Sequence, residues 1–110
     1  MSKTIRLIQI DGDRAHIKKV SNDLESIKAL IGGGYLEQFS LGNGFVGLCD
    51  EDGRMKGFPI NTLGIAGVLV ISKYYKGNDA TQYGELDSLT DDDIDLIASS
   101  ITKKGIYFPG

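Results

Sequence analysis

The chain has few of the residues that covalent or redox chemistry requires. Its 110 residues include one cysteine, one histidine and no tryptophan, so an intrachain disulfide is excluded and a reducing compartment is expected. Proline occurs twice and glycine 15 times, which indicates tight turns and close backbone approaches rather than disorder. No apolar run has the length of a membrane span, and the start lacks the apolar core of a secretory signal. We therefore expect a cytoplasmic protein that is not inserted in a membrane.

A strong excess of charge of one sign is also missing. Twelve basic and 15 acidic residues give a net charge of −3, and this balance argues against general nucleic-acid binding, which needs a basic face. The apolar share of 41% and the charged share of 25% are typical of a globular protein. A chain of this length is predicted to form one domain, 1–110, with its own core.

The segment 39–72 predicts three strands. Asn43-Gly44 lies between apolar runs and is the strongest short hairpin signal, because a type I′ turn needs positive φ at both central residues. The six residues from Gly42 also match the dinucleotide fingerprint G-x-G-x-x-G, but a β-forming run follows where that motif needs a helix. The last segment starts at Ile65 and is almost wholly apolar, which favours a central strand buried on both faces.

The remaining chain predicts two strands near the start and two helices. The strands are expected at 4–10 and 15–20, joined by an Asp-Gly-Asp turn. A first helix capped by Ser21 or Asn22 should end at the glycine triplet 32–34, which we interpret as a C-cap and link. We predict an α+β fold, a mainly antiparallel sheet of five or six strands with two helices packed on it.

The second helix has the clearest local signal. Thr90 and Asp93 predict a capping box, and Leu89 with Ile94 predict the accompanying hydrophobic staple. The tail 106–108 is apolar, and the sequence leaves open whether it docks as a short strand or mediates homo-oligomer formation.

Several residues that often carry chemistry have a structural explanation here. Asp11 and Asp13 begin like a calcium loop, but the later ligands do not follow. The aspartates at 91–95 complement the positive start of a helix, which explains them without magnesium. His16 lies in a predicted strand without a visible partner, and Cys49 lies in an apolar run. The sequence predicts no catalytic residue, no metal and no cofactor, although hydrolysis by a carboxylate pair stays open.

The polar loop within 53–64 is the most informative segment for function, because it lies between two predicted core strands. Its basic pair can donate hydrogen bonds to a phosphate, its amide and hydroxyl can bind a base or ribose, and nearby tyrosines can stack. The alternative is that these are solvated turn residues. The candidate ligand-binding residues are Arg54, Lys56, Pro59, Asn61, Thr62, Tyr35 and Tyr74.

Four segments together resemble a known family: GGGYLEQFSL, GLCDEDGRMKGFPINTLG, GVLVIS and GELDSLTDDDID. The pattern is similar to that of the small phage and mobile-element proteins grouped as domain of unknown function 3846, over about 21–101. The middle of the family pattern is carried by Asp50, Glu51, Gly53, Lys56, Gly57, Pro59 and Asn61. The chain departs from it at 64–67, where many relatives have a longer polar link. The resemblance implies a phage or prophage origin and an intracellular accessory role, and no established reaction.

Two functional hypotheses follow. In the first, a non-enzymatic phage protein binds a small nucleotide-like ligand and sequesters an immune signal of the host in the host cytoplasm. In the second, an interaction module inhibits or adapts a host protein through an acidic face formed by 50–52, Asp79, Glu85, Asp87 and 91–95. The modest net charge of −3 is low for a nucleic-acid mimic.

Overall fold

The computed structural model describes residues 4–74 and 86–109. The predicted contributions of Asp79 and Glu85 to an acidic face lie outside these residues. The elements, in chain order, are β1 (Thr4–Asp11), β2 (Arg14–Ser21), α1 (Leu24–Leu30), β3 (Leu36–Gly42), β4 (Phe45–Asp50), β5 (Leu69–Tyr74), β6 (Leu86–Asp87) and α2 (Asp91–Thr102). The predicted α+β class is confirmed.

The strands form one antiparallel sheet in the order β2-β1-β5-β4-β3, and β6 pairs with the end of β5. The predicted hairpin between β3 and β4 is present, with φ of 56° at Asn43 and 81° at Gly44. The turn between β1 and β2 is also as predicted, with Gly12 at φ 65°. Because β4 and β5 pair directly, the long segment between them leaves and re-enters the sheet at the same end.

Alternating side chains divide the apolar residues between the two faces of the sheet. On one face α2 contributes Ile94, Ile97 and Ile101 to a core with strand residues Ile8, Ile10, Phe45, Cys49, Leu69 and Ile71. On the other face α1 contributes Ile27 and Ile31 to a core with Ile5, Leu7, Val46, Leu48 and Val70. The predicted burial of the last strand of 39–72 on both faces is therefore confirmed, and Cys49 is a core residue, 6% exposed.

The predicted start of β5 at Ile65 is wrong. The strand begins at Leu69, because Gly67 has φ 91° and lies against Phe58, whose ring atom would be 2.7 Å from a Cβ at this position. Ala66 instead forms an isolated bridge with Ile60 inside the loop.

The predicted cap of α1 is also wrong. Asp23, not Ser21 or Asn22, is the N-cap, and its carboxylate accepts a hydrogen bond from the Ser26 amide at 2.8 Å. Asp serves as well as Asn at this position, and Asn22 is used elsewhere, donating through Nδ2 to Leu86 O at 2.9 Å. The glycine link after α1 is confirmed, with φ 93° at Gly32, but the C-cap itself is Ile31.

The capping box of α2 is present as predicted. Thr90 Oγ1 accepts from the Asp93 amide at 3.1 Å, and the Asp93 carboxylate accepts from the Thr90 amide at 2.8 Å. The same carboxylate forms an ion pair with Lys73 Nζ at 2.8 Å. Burial tends to raise the pKa of Asp93, but the hydrogen bonds from Lys73 and Thr90 outweigh burial and hold it below its usual value.

The segment after α2 docks on the edge of the sheet, one of the two arrangements that the sequence left open. Ile106 is fully buried, and Tyr107 forms a parallel bridge with Arg14 at the start of β2. Within residues 4–74 and 86–109, neither helix is long and apolar enough to span a bilayer.

Replacing Thr90 by Ala should lower the free energy of unfolding by about 0.5–2 kcal/mol, because the Asp93 amide loses its acceptor. Thr90→Ser keeps the oxygen and should remain close to the wild type. Urea unfolding followed by circular dichroism measures both. Equal losses in the two variants would show that the hydroxyl cap is not the source of the stability.

Candidate functional site

The loop between β4 and β5 starts with tight turns. The Gly53 amide donates to Asp50 O at 3.1 Å, and the Lys56 amide donates to Asp52 O at 2.9 Å. Gly53 is buried, and a Cβ there would lie 2.5 Å from the backbone oxygen of Ala66. Only glycine therefore lets the first part of the loop pack against its last part.

Asp50 holds these turns to the sheet. Its side chain is 3% exposed, accepts from the Asp52 amide at 2.8 Å and pairs with Lys56 Nζ at 2.7 Å. The hydrogen bond from Lys56 is the main reason that the pKa of Asp50 lies below its usual value, and the same bond raises the pKa of Lys56. Gly34, in the link between α1 and β3, lies so close that a Cβ there would overlap the Asp50 carboxylate.

Asn61 organises the second half of the loop. Its Oδ1 accepts hydrogen bonds from the amides of Leu63 at 2.9 Å and Ile65 at 3.1 Å. The backbone amide of Asn61 donates to Ile65 O, and the backbone amide of Gly67 donates to Pro59 O, both at 2.9 Å. The segment 59–67 is therefore a small hairpin, and Asn61 serves first to shape it. The buried Nδ2 of Asn61 has no partner among the described residues.

Three segments that are distant in sequence surround a cavity of about 360 Å³, which we call the glycine groove. Asp11 and Gly12 come from the β1–β2 turn, and 31–32 comes from the end of α1. The loop contributes 58–61 and 67–68. Gly12 and Gly32 have open space where a side chain would lie, so a ligand can approach the backbone closely on that side.

A second, smaller cavity of about 160 Å³ lies beside Arg54, and we call it the acidic cavity. It is lined by 64–66 and by Glu37, Cys49, Asp50 and Glu51, so acidic side chains outnumber the one guanidinium. Arg54 also donates to Gly64 O at 3.3 Å. Burial, and then the negative charges of Glu37 and Asp50, raise the pKa of the Cys49 thiol, which disfavours the thiolate that a nucleophile requires.

The seven candidate residues do not line one cavity. Pro59 and Asn61 line the glycine groove, and Arg54 lines the acidic cavity. Lys56 pairs with Asp50, although its Nζ lies 5.7 Å from the ring centroid of Phe58, a groove residue.

Three candidates lie away from the groove. Thr62 is exposed in the loop and lines none of the cavities described here. Tyr35 is 72% exposed, with Lys28 Nζ 5.7 Å from its ring centroid. Tyr74 packs against the core on the α1 face at the far end of β5.

Sequence reasoning missed Asp11, Gly12, Gly32 and Phe58 as groove residues. The β1–β2 turn and the glycine link are each predictable from local sequence, but their proximity depends on the pairing of β1 with β5, which brings Ile10 beside Leu69. Phe58 lies between a glycine and a proline. An aromatic residue at such a position in a polar loop is a local sign of a binding residue.

A family model described as Domain of unknown function (DUF3846) matches residues 4–102. The chain belongs to this family. The resemblance predicted over about 21–101 is therefore confirmed and extends to β1 and β2. No curated protein matches the chain, and no solved structure matches it.

The DUF3846 match includes every segment of the glycine groove as well as Asp50 and Lys56. It ends at Thr102, the last residue of α2, and so leaves out the docked tail. The glycine groove and the Asp50–Lys56 ion pair therefore both lie within the matched region.

Asp50→Asn should lower the free energy of unfolding near neutral pH by roughly 1–3 kcal/mol, because a buried acceptor loses its charge and part of its bonding. The folded-state pKa of Asp50 is lowered, so the carboxylate stabilises the fold above its unfolded pKa of about 3.9 and loses this effect as the pH falls further. Urea unfolding from neutral to acid pH should show the two proteins converging below about pH 4. In a Lys56→Met background the cost of Asp50→Asn should shrink, and an unchanged cost would rule out the ion pair as its source.

Gly53→Ala should destabilise the protein by about 1–3 kcal/mol, because the added methyl meets the backbone of Ala66 rather than a side chain that can turn away. Met55→Ala is the matched control, since Met55 is in the same loop and 88% exposed. Urea unfolding midpoints compare the two. A Gly53→Ala protein as stable as the Met55→Ala protein would contradict the close packing of the loop.

Proposed function

We propose that this DUF3846 protein binds a small nucleotide-like ligand in the glycine groove and holds it without chemical change. In its full form the proposal is that of a phage accessory protein that sequesters a nucleotide immune signal in the host cytoplasm. The observation that carries it is a cavity of about 360 Å³ formed where two glycine-containing turns meet an ordered polar loop.

The size and walls of the groove support a small organic ligand. Its volume lies within the range of about 300–1,000 Å³ that is usual for ligand pockets. Phe58 contributes an aromatic ring. Gly12 and Gly32 have no side chain, so their backbone is accessible to a ligand on another side of the groove. An aromatic ring beside open backbone suits a flat group such as a nucleobase.

The polarity of the groove supports recognition of hydrogen-bond donors more than of phosphate. Asp11 lines it and contributes two carboxylate oxygens, which accept hydrogen bonds. Ribose hydroxyls and base amino groups suit such acceptors. A phosphate would be directed toward Lys56, which Asp50 already engages at 2.7 Å.

The described groove residues support binding rather than reaction. None of them is a Cys, Ser, Thr, Lys or His that could serve as a nucleophile or base beside Asp11. Cys49 lines the acidic cavity instead, and the raised pKa of its thiol disfavours nucleophilic attack.

The acidic-face hypothesis has less support. Asp91 pairs with Arg6 at 2.9 Å, Asp93 pairs with Lys73, and Asp50 is buried with Lys56. These carboxylates are already bonded within the fold, so fewer remain to present charge to a partner.

Thermal-shift screening with nucleosides, cyclic nucleotides and ADP-ribose tests the proposal. A ligand present at about 100 times its Kd stabilises the native state by about 2.7 kcal/mol, which raises Tm by roughly ten degrees in a domain of this size. Chromatography of the ligand after denaturation should return it unchanged, whereas a converted product would show an enzyme.

Ile60→Glu and Met55→Glu locate the site. Both residues are exposed apolar loop residues, 58% and 88% exposed, but only Ile60 lines the groove. Ile60→Glu should reduce the thermal shift, and Met55→Glu should preserve it. Absence of a shift with every ligand, or an equal effect of the two variants, would overturn binding in the groove.

A further inference from the structure

A third cavity, of about 300 Å³, lies between α2 and the β3–β4 hairpin. We call it the apolar groove. Its floor is Phe45, Leu69 and Ile71, all of them members of the core beneath α2. A molecule lying in this groove would contact the main core of the protein directly.

The two rims of the apolar groove are unusually apolar for exposed positions. Leu41 on β3 is 43% exposed, and Leu96 on α2 is 51% exposed. Exposed apolar side chains on both sides of a concave floor are typical of a surface that binds an apolar group.

One end of the groove is positively charged. Lys104, just after α2, lines the cavity, and none of the described carboxylates pairs with it. The other polar side chains at the cavity are neutral, Asn43 and Ser100. None of the described residues that line this cavity is acidic, so its charge complements an anion.

We propose that the apolar groove binds an amphiphilic monocarboxylate, with the hydrocarbon chain over Phe45 and Leu69 and the carboxylate at Lys104. Its volume of about 300 Å³ is at the lower end of the range for ligand pockets, which suits a chain of medium length. The site is separate from the glycine groove, and the proposal does not depend on the proposed function.

Octanoate, octanol and octylammonium test the charge preference, because they share one hydrocarbon chain. Titration followed by backbone-amide NMR should show saturable shifts in α2 and the β3–β4 hairpin, strongest for octanoate and weakest for octylammonium. An eight-carbon ligand in such a groove should bind with a Kd of about a millimolar. Equal affinity for the three ligands, or shifts that do not saturate, would overturn the proposal.

Two pairs of variants locate the site. Lys104→Gln should weaken octanoate binding by about two- to five-fold, the size expected of an exposed ion pair, and leave octanol unchanged. Lys103→Gln, at the neighbouring exposed residue outside the cavity, is its control. Ser100→Phe should fill the groove and abolish binding of all three ligands, whereas Ser99→Phe, exposed on α2 but outside the cavity, should not.

Light scattering on the ligand-free protein tests the competing occupant, a second copy of the chain. Octanoate binding to a monomer supports the proposal. A dimer that Ser100→Phe dissociates, without saturable octanoate binding, would show that the groove is an interface between copies and would overturn it.

Discussion

The carboxylate of Asp50 joins three parts of the chain at the end of β4. It accepts a hydrogen bond from the Asp52 amide, forms an ion pair with Lys56 Nζ and lies against Gly34. A buried carboxylate without partners is strongly unfavourable, so the loop and the α1–β3 link keep their positions around it. The segment that lines the glycine groove begins only two residues after Lys56, and the groove therefore depends on this pairing.

Asn61 has the corresponding role in the second half of the loop. Its single oxygen accepts two backbone amides, so the loop hairpin is held by one side chain rather than by a long ladder. The two polar anchors lie on either side of Phe58, which also packs over Gly67. A loop ordered in this way presents its groove in a fixed shape, and a ligand then loses less free energy to ordering the protein.

The features that could be predicted from sequence are those decided by near neighbours. Asn43-Gly44 specifies its hairpin through its own backbone preferences, and Thr90 caps α2 through a residue three positions away. The start of β5 could not be predicted, because the positive φ of Gly67 accompanies packing against Phe58, nine residues earlier. In the same way, Ser21, Asn22 and Asp23 are equally suitable N-caps by residue type. The choice of Asp23 depends on where β2 ends, which is at Ser21.

The candidate site was predicted less completely than the fold, for a related reason. Arg54 and Lys56 are two residues apart, yet Lys56 forms an ion pair with Asp50 while Arg54 lines the acidic cavity. Proximity along a turn does not determine which cavity a side chain enters. The groove itself forms where Gly12 and Gly32 meet the loop, a contact between segments that no local pattern connects.

Ile106 fills the core beneath α2 from a position beyond the last residue of the DUF3846 match. A recombinant fragment cut at the boundary of the matched region would keep all the strands and helices of the described residues. It would nevertheless leave a void where that isoleucine lies and would uncover the backbone of Ala15, whose amide donates to Tyr107 O at 2.9 Å. Domain boundaries taken from sequence similarity alone would thus select a poorer crystallisation target than the longer chain.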